Sequence, residues 1–134
     1  MNNCIFCAIC AGEIPAYVLH EDEHFMAILD RFPATPGHVL IIPKRHAPSI
    51  FELNDAEAAA LMPLAKQMAD KIRTTLNPIG LNLLQNNGKA AGQVVFHFHL
   101  HLIPRFEDDG FEFSHPSNEM TEDEMEEMVG RLKL

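Results

Sequence analysis

The chain is poor in positive charge: Lys and Arg number 10 against 19 Asp and Glu, a formal net charge of −9 with His neutral. A surface that acidic repels phosphate backbones, which argues against general DNA or RNA binding. A small phosphorylated ligand in one local site is compatible with it. Long apolar runs are also missing. The longest in the middle of the chain, Val39 to Pro43, is far too short to span a bilayer and reads as buried strand. Met1-Asn2-Asn3-Cys4 shows no basic n-region, and no long apolar h-region follows. A cytoplasmic protein without a membrane partner is the expectation. Cysteine is scarce and clustered, with Cys4, Cys7 and Cys10 inside seven residues, an odd set that does not describe a secreted disulfide framework. Repeats, Ser/Gly linkers and low-complexity tracts are absent.

What is present suits a globular α+β protein. At 134 residues, 47% hydrophobic and 22% charged, the composition is ordinary for a folded domain. One domain over 1–134 is expected, with a core at about 4–106 and an acidic segment at 107–134. Residues 4–12 read as a short helical turn ending at Gly12. Val18 to His20, His24 to Asp30, His38 to Pro43, Gly80 to Gln85 and Val94 to Ile103 read as five strands, the last ended by Pro104. Asn54 or Asp55 caps a helix whose apolar positions Ala58, Leu61, Leu64, Ala65, Met68 and Ile72 share one face; Pro63 near its start predicts some distortion. Thr121 caps a last helix. Strands grouped with two or three helices predict an antiparallel sheet with helical cover.

The chain holds eight histidines, and three of them fall at His97-Phe98-His99-Leu100-His101. In a strand, successive side chains point to opposite faces, so the histidines would share one face at ~6.6 Å spacing while Phe98, Leu100 and Leu102 enter the core. Three readings are open. The strand could simply be solvated on its His face. His-x-His could ligate a catalytic zinc, although no Asp or Glu stands close in sequence to complete the set. Or imidazole could act as a nucleophile, one His attacking, a second positioning it and a third carrying charge, with phosphorus as the natural target.

The pattern His-φ-His-φ-His-φ-φ, with φ apolar, resembles the signature of the histidine triad (HIT) family of nucleotide hydrolases and transferases. The resemblance extends through Cys4-Ile5-Phe6-Cys7, Gly12-Glu13-Ile14-Pro15, Thr35 to Lys44 and the loop Asn86 to Gln93, spanning residues 4–106 in order. It implies a five-stranded antiparallel sheet with a main covering helix and short terminal helices, paired into a ten-stranded sheet in a homodimer. It implies that His99 is the nucleophile, forming a covalent nucleotidyl-histidine that water hydrolyses. His97 would orient His99 through its backbone carbonyl, His101 would hydrogen-bond the α-phosphate, and His38 would lie beside the triad. Asn86 and Gln93 match contacts to phosphate and leaving group, Asp30 the acceptor of both ribose hydroxyls, and Phe6, Ile9 and Ile28 the walls of the base pocket. Two positions depart from the pattern: Val94 stands where many relatives carry Ser or Thr, and Arg31 where an apolar residue often lines the pocket.

Cys4-x-x-Cys7 alone is a half-site. Some bacterial members of the family bind zinc through such a pair and two histidines, which the resemblance places at His46 and His97, implying a closed structural Cys₂His₂ site. Cys10 is left to the core, and His20, His24 and His115 to the surface. The implied activity is hydrolysis of nucleoside phosphoramidates or similar nucleotide conjugates to a nucleoside monophosphate. Hydrolysis of dinucleoside polyphosphates, nucleotidyl transfer, a catalytic zinc hydrolase built on the triad face and a regulatory nucleotide-binding or scaffold role stay open.

Overall fold

A computed structural model describes residues 3–134. Helix α1 (Ile5–Cys10) leads into five strands, β1 (Val18–Glu21), β2 (Phe25–Leu29), β3 (Val39–Pro43), β4 (Gly80–Leu84) and β5 (Leu100–Arg105), with α2 (Asp55–Leu76) between β3 and β4 and α3 (Glu122–Leu132) after β5. The strands form one antiparallel sheet in the order β1-β2-β3-β5-β4. No helix among the described residues is long and apolar enough to cross a membrane.

Burial on both faces explains the unbroken apolar runs of β2 and β3. Phe25, Ala27, Val39, Ile41, Leu100 and Leu102 point to the side covered by Leu64, Ala65 and Ile72 of α2. Met26, Ile28, Leu40 and Ile42 point to the opposite side, under Phe6 and Ile9 of α1. By the same alternation His38, Asp30 and His101 fall on the α1 side.

Helix α2 starts at Asn54, whose side chain accepts from the Glu57 amide while Glu57 reaches back to the Asn54 amide. Glu57 is buried and also takes a two-pronged contact from Arg45, at 2.7 and 3.2 Å. The helix runs through Pro63 without a break. Pro63 and Ala59 are both exposed, so water can reach the Ala59 carbonyl that Pro63 cannot bond. Ala58, expected on the packed face, is exposed; Ala60 and Ala69 pack there instead.

The fifth strand differs most from the sequence reading. It begins at Leu100, not Val94, and continues through Pro104 to Arg105. Pro104 is tolerated because pairing with β3 reaches only Leu102, so no ladder bond from position 104 is lost on that side. The Pro104 carbonyl accepts from Thr35 Oγ1 at 2.6 Å. Gly37 makes the turn into β3 with φ +87°, and a Cβ there would collide with Leu76. The turn fixes where His38 enters the sheet.

Candidate active site

His97 and His99 lie before β5, in irregular backbone, while His101 is in the strand. The alternation still holds, with Phe98 and Leu100 in the core under α2. The structure does not favour the reading of a strand simply solvated on its His face, since His97 is buried and His99 and His101 are half-buried. His97 is fully buried, and its ring serves a different cluster from the other two.

The hydrogen-bond partners fix the tautomers of the neutral rings, because a carbonyl only accepts and an amide N–H only donates. His97 Nε2 lies 2.7 Å from the Pro43 carbonyl, so it carries the proton and Nδ1 holds a lone pair. His99 Nδ1 lies 2.7 Å from the His97 carbonyl, so the Nδ1–H donates there and Nε2 is bare. His38 Nδ1 accepts from the Ala34 amide at 3.0 Å, so its Nε2–H donates to His101 Nδ1 at 2.9 Å. His101 then presents Nε2–H. Burial pushes His101 down from 6.5 to about 4, helped by repulsion from His99 and His38 and opposed by Asp30. Burial likewise lowers His38, against the pull of Asp30. Both rings are therefore neutral near pH 7.

His99 and His101 pack edge to face, with ring centroids 4.9 Å apart, and Phe6 sits 5.1 Å from His99. These rings line a cavity of about 570 Å³ whose walls include Phe6, Ile9 and Ile28, with Asp30 at its rim. Asp30 Oδ1 accepts from the Phe32 amide, and Oδ2 lies 3.5 Å from His38 Nε2. Asn86 lines a smaller adjoining cavity with His99 and His101, its Nδ2 3.5 Å from the Gly92 carbonyl. Gln93 lines neither cavity. Its buried amide donates to the carbonyls of Pro48 (2.6 Å) and Val95 (3.0 Å) and accepts from the Gly88 amide (2.8 Å), tying the loop ahead of the triad to the Pro48 segment. Val94 is exposed and borders both cavities, and Arg31 lines the larger.

Cys4, Cys7, His46 and His97 form the second cluster, and they could hold a metal ion. His97 Nδ1 lies 3.3 Å from Cys4 Sγ, 3.4 Å from Cys7 Sγ and 3.2 Å from His46 Nδ1; Cys7 Sγ lies 3.2 Å from His46 Nδ1. Metal–ligand bonds of about 2.0–2.3 Å at tetrahedral angles put neighbouring donor atoms roughly 3.3–3.8 Å apart, close to this spacing. The Nδ1 lone pair of His97 already faces the group, and the Pro43 carbonyl orients the ring from behind. The thiols sit on and just before α1, with Cys4 Sγ also accepting from the Cys7 amide. Cys10 stays outside this set; burial first, then the neighbouring Cys7, raises it to about 11. Asp30, His38 and His101 also converge, but the Ala34 amide on His38 Nδ1 keeps the proton on Nε2, the nitrogen a metal would need.

His20 and His24 are partly exposed and His115 exposed, and none of the three belongs to either cluster. The backbone partners of the site, Ala34, Pro43 and the His97 carbonyl, could not be read from side-chain types. Phe111, which lines the smaller cavity, and Arg105, whose guanidinium packs on the Phe111 ring, carried no motif signal.

The family model described as HIT domain matches residues 11–108. The chain is 39% identical over 136 aligned positions to the adenosine 5′-monophosphoramidase hnt1 of Schizosaccharomyces pombe, covering 98% of this chain and 99% of that protein. The crystal structure of a HIT family protein from Bacillus anthracis superposes with TM-score 0.93 at 45% identity, covering 98% of this chain and 95% of that one. A zinc-bound histidine triad family protein from Mycobacterium smegmatis superposes with TM-score 0.77 at 38% identity, covering 97% and 89%.

Proposed function

The chain belongs to the HIT domain family, and on that premise we propose that it hydrolyses nucleoside phosphoramidates or similar nucleotide conjugates at the α-phosphate. His99 is the nucleophile in this reading, and a nucleoside monophosphate is the product. The observation that carries it is the 2.7 Å hydrogen bond from His99 Nδ1–H to the His97 carbonyl, which leaves Nε2 bare in a ring that lines the large cavity. Nε2 attacks the α-phosphorus, the bond to the leaving group breaks, and a nucleotidyl-histidine forms. Water then cleaves the new N–P bond, so the two steps together add one water across the scissile bond. His101 Nε2–H hydrogen-bonds an α-phosphate oxygen and stabilises the charge that builds there.

The base lies among Phe6, Ile9 and Ile28, and Asp30 accepts from the ribose hydroxyls, one carboxylate serving two donors. Cys4, Cys7, His46 and His97 would hold zinc as a four-ligand structural site, which would supply folding energy. In that role those ligands hold α1 and the His97 backbone, and hence the acceptor for His99. The phosphoramidase name of the S. pombe relative and the zinc-bound M. smegmatis structure support these two assignments.

The test compares adenosine 5′-phosphoramidate hydrolysis by wild type and His99→Asn, with AMP release followed by chromatography and AMP affinity measured for both. Release by wild type alone, with binding retained in the variant, is the expected result. Release by both, or binding without release by wild type, overturns the assignment of His99.

A further inference from the structure

His99 and His101 border two cavities. The larger lies over the β2 and β3 side of the sheet, beneath α1. The smaller, about 310 Å³, lies toward β4 and is walled by Leu84, Asn86, Val94, Ile103 and Phe111. A nucleotide whose base and ribose fill the first cavity, with its α-phosphorus at His99, directs its leaving group into the second.

None of the residues around the smaller cavity is Lys or Arg. Arg105 is screened from it by Phe111, whose ring lies 4.5 Å from the guanidinium carbon. The guanidinium is committed elsewhere: it bonds both Asp109 oxygens at 2.9 and 3.1 Å, Asn82 Oδ1 at 3.0 Å and the Phe111 carbonyl. Asp109 also accepts from the Phe111 amide at 3.0 Å. Phe111 is thus held by its N–H, its C=O and its ring face, and stands as a fixed aromatic wall. An anionic leaving group in this cavity would be desolvated against Leu84, Ile103 and Phe111 with no cation to meet it, in a chain of net charge −9. An uncharged amine with an aromatic substituent would instead bury apolar surface against the ring.

We propose that the smaller cavity is the leaving-group subsite and that Phe111 is its specificity-determining residue, selecting conjugates that release an amine bearing an aromatic group over those that release ammonia or an anion. This rests on the reading of His99 as the nucleophile. The bond that breaks joins the α-phosphorus to the amine nitrogen. The amine departs with the bonding pair and takes a proton from solvent, and the water that resolves the intermediate supplies the hydroxyl to phosphorus.

The experiment measures kcat/KM for three adenylyl substrates: N-phenethyl phosphoramidate, unsubstituted phosphoramidate and phosphosulfate. Wild type is expected to rank them in that order. Phe111→Ala is expected to lower the ratio of the first to the second by roughly tenfold, and Phe111→Tyr to restore it. Because the ratio is taken within one protein preparation, a partly unfolded variant moves both terms together and leaves it unchanged. An unchanged ratio in Phe111→Ala overturns the proposal, as does preference of wild type for the phosphosulfate. Wild type that binds AMP yet turns over none of the three overturns the underlying hydrolase reading, and this proposal with it.

Discussion

His38 and His101 meet nitrogen to nitrogen, 2.9 Å apart, and the Ala34 amide on the far side of His38 sets the direction of that bond. A backbone N–H thus decides, through two rings, which nitrogen of His101 bears hydrogen. The arrangement needs both rings neutral, and burial favours that form in each.

Replacing His38 by Ala would remove the donor to His101 Nδ1 and free His101 to adopt the other tautomer. We expect kcat for adenosine 5′-phosphoramidate to fall on the order of 10²-fold, with AMP affinity less affected. Steady-state kinetics and calorimetric titration with AMP check this. A loss confined to KM would contradict it.

Stability should depend on pH in a defined direction. His101 binds its proton at about 4 in the fold against 6.5 when free, so between those values the unfolded chain holds more protons. Stability from this group is fully present above pH 6.5 and is lost as pH falls toward 4. His38, also lowered, adds in the same direction. Melting temperature measured from pH 7.5 to 4.5 should fall over this window, and His101→Asn should flatten the slope.

Protein purified without chelator should contain about one zinc per chain. Cys7→Ser should lower the zinc content and reduce the melting temperature by on the order of 10 °C, since the cluster joins α1 to segments near residues 46 and 97. Elemental analysis and thermal scans with and without a chelator test both parts. Well under one zinc per chain would refute the assignment.

Gln93 offers a contrast between two roles. A phosphate contact would show as weaker AMP binding in a normally stable variant. Its buried position and three backbone bonds predict instead that Gln93→Ala lowers stability by about 2–4 kcal/mol, through unpaired polar groups and lost packing. Chemical denaturation alongside AMP titration separates the two.

Much of this protein follows from local pattern. The apolar runs of β2 and β3 specify interior strands because both faces must be buried. The reciprocal pair Asn54 and Glu57 specifies where α2 starts. The strict alternation around His97, His99 and His101 separates imidazoles from core residues whether or not the backbone there is formally strand. The resemblance carried by those residues reached the HIT family and the five-stranded sheet with its helices.

Long-range geometry decided the rest. The ladder of β5 starts at Leu100 because that is where β3 pairing begins, a fact about a partner strand and not about residues 94–99. The group that could hold a metal joins residues 4, 7, 46 and 97, and only the docking of α1 on the sheet brings their donor atoms together. The protons on His38, His97 and His99 are placed by backbone groups of Ala34, Pro43 and His97, which no side-chain motif reveals. Phe111 became a cavity wall through Arg105 and Asp109, which hold its backbone and ring in place. The sequence determined which side chains are available to the candidate site, because side-chain identity is local. Tertiary structure decided how each is aimed, because hydrogen-bond direction and metal coordination depend on atoms that are distant along the chain and adjacent only in the fold.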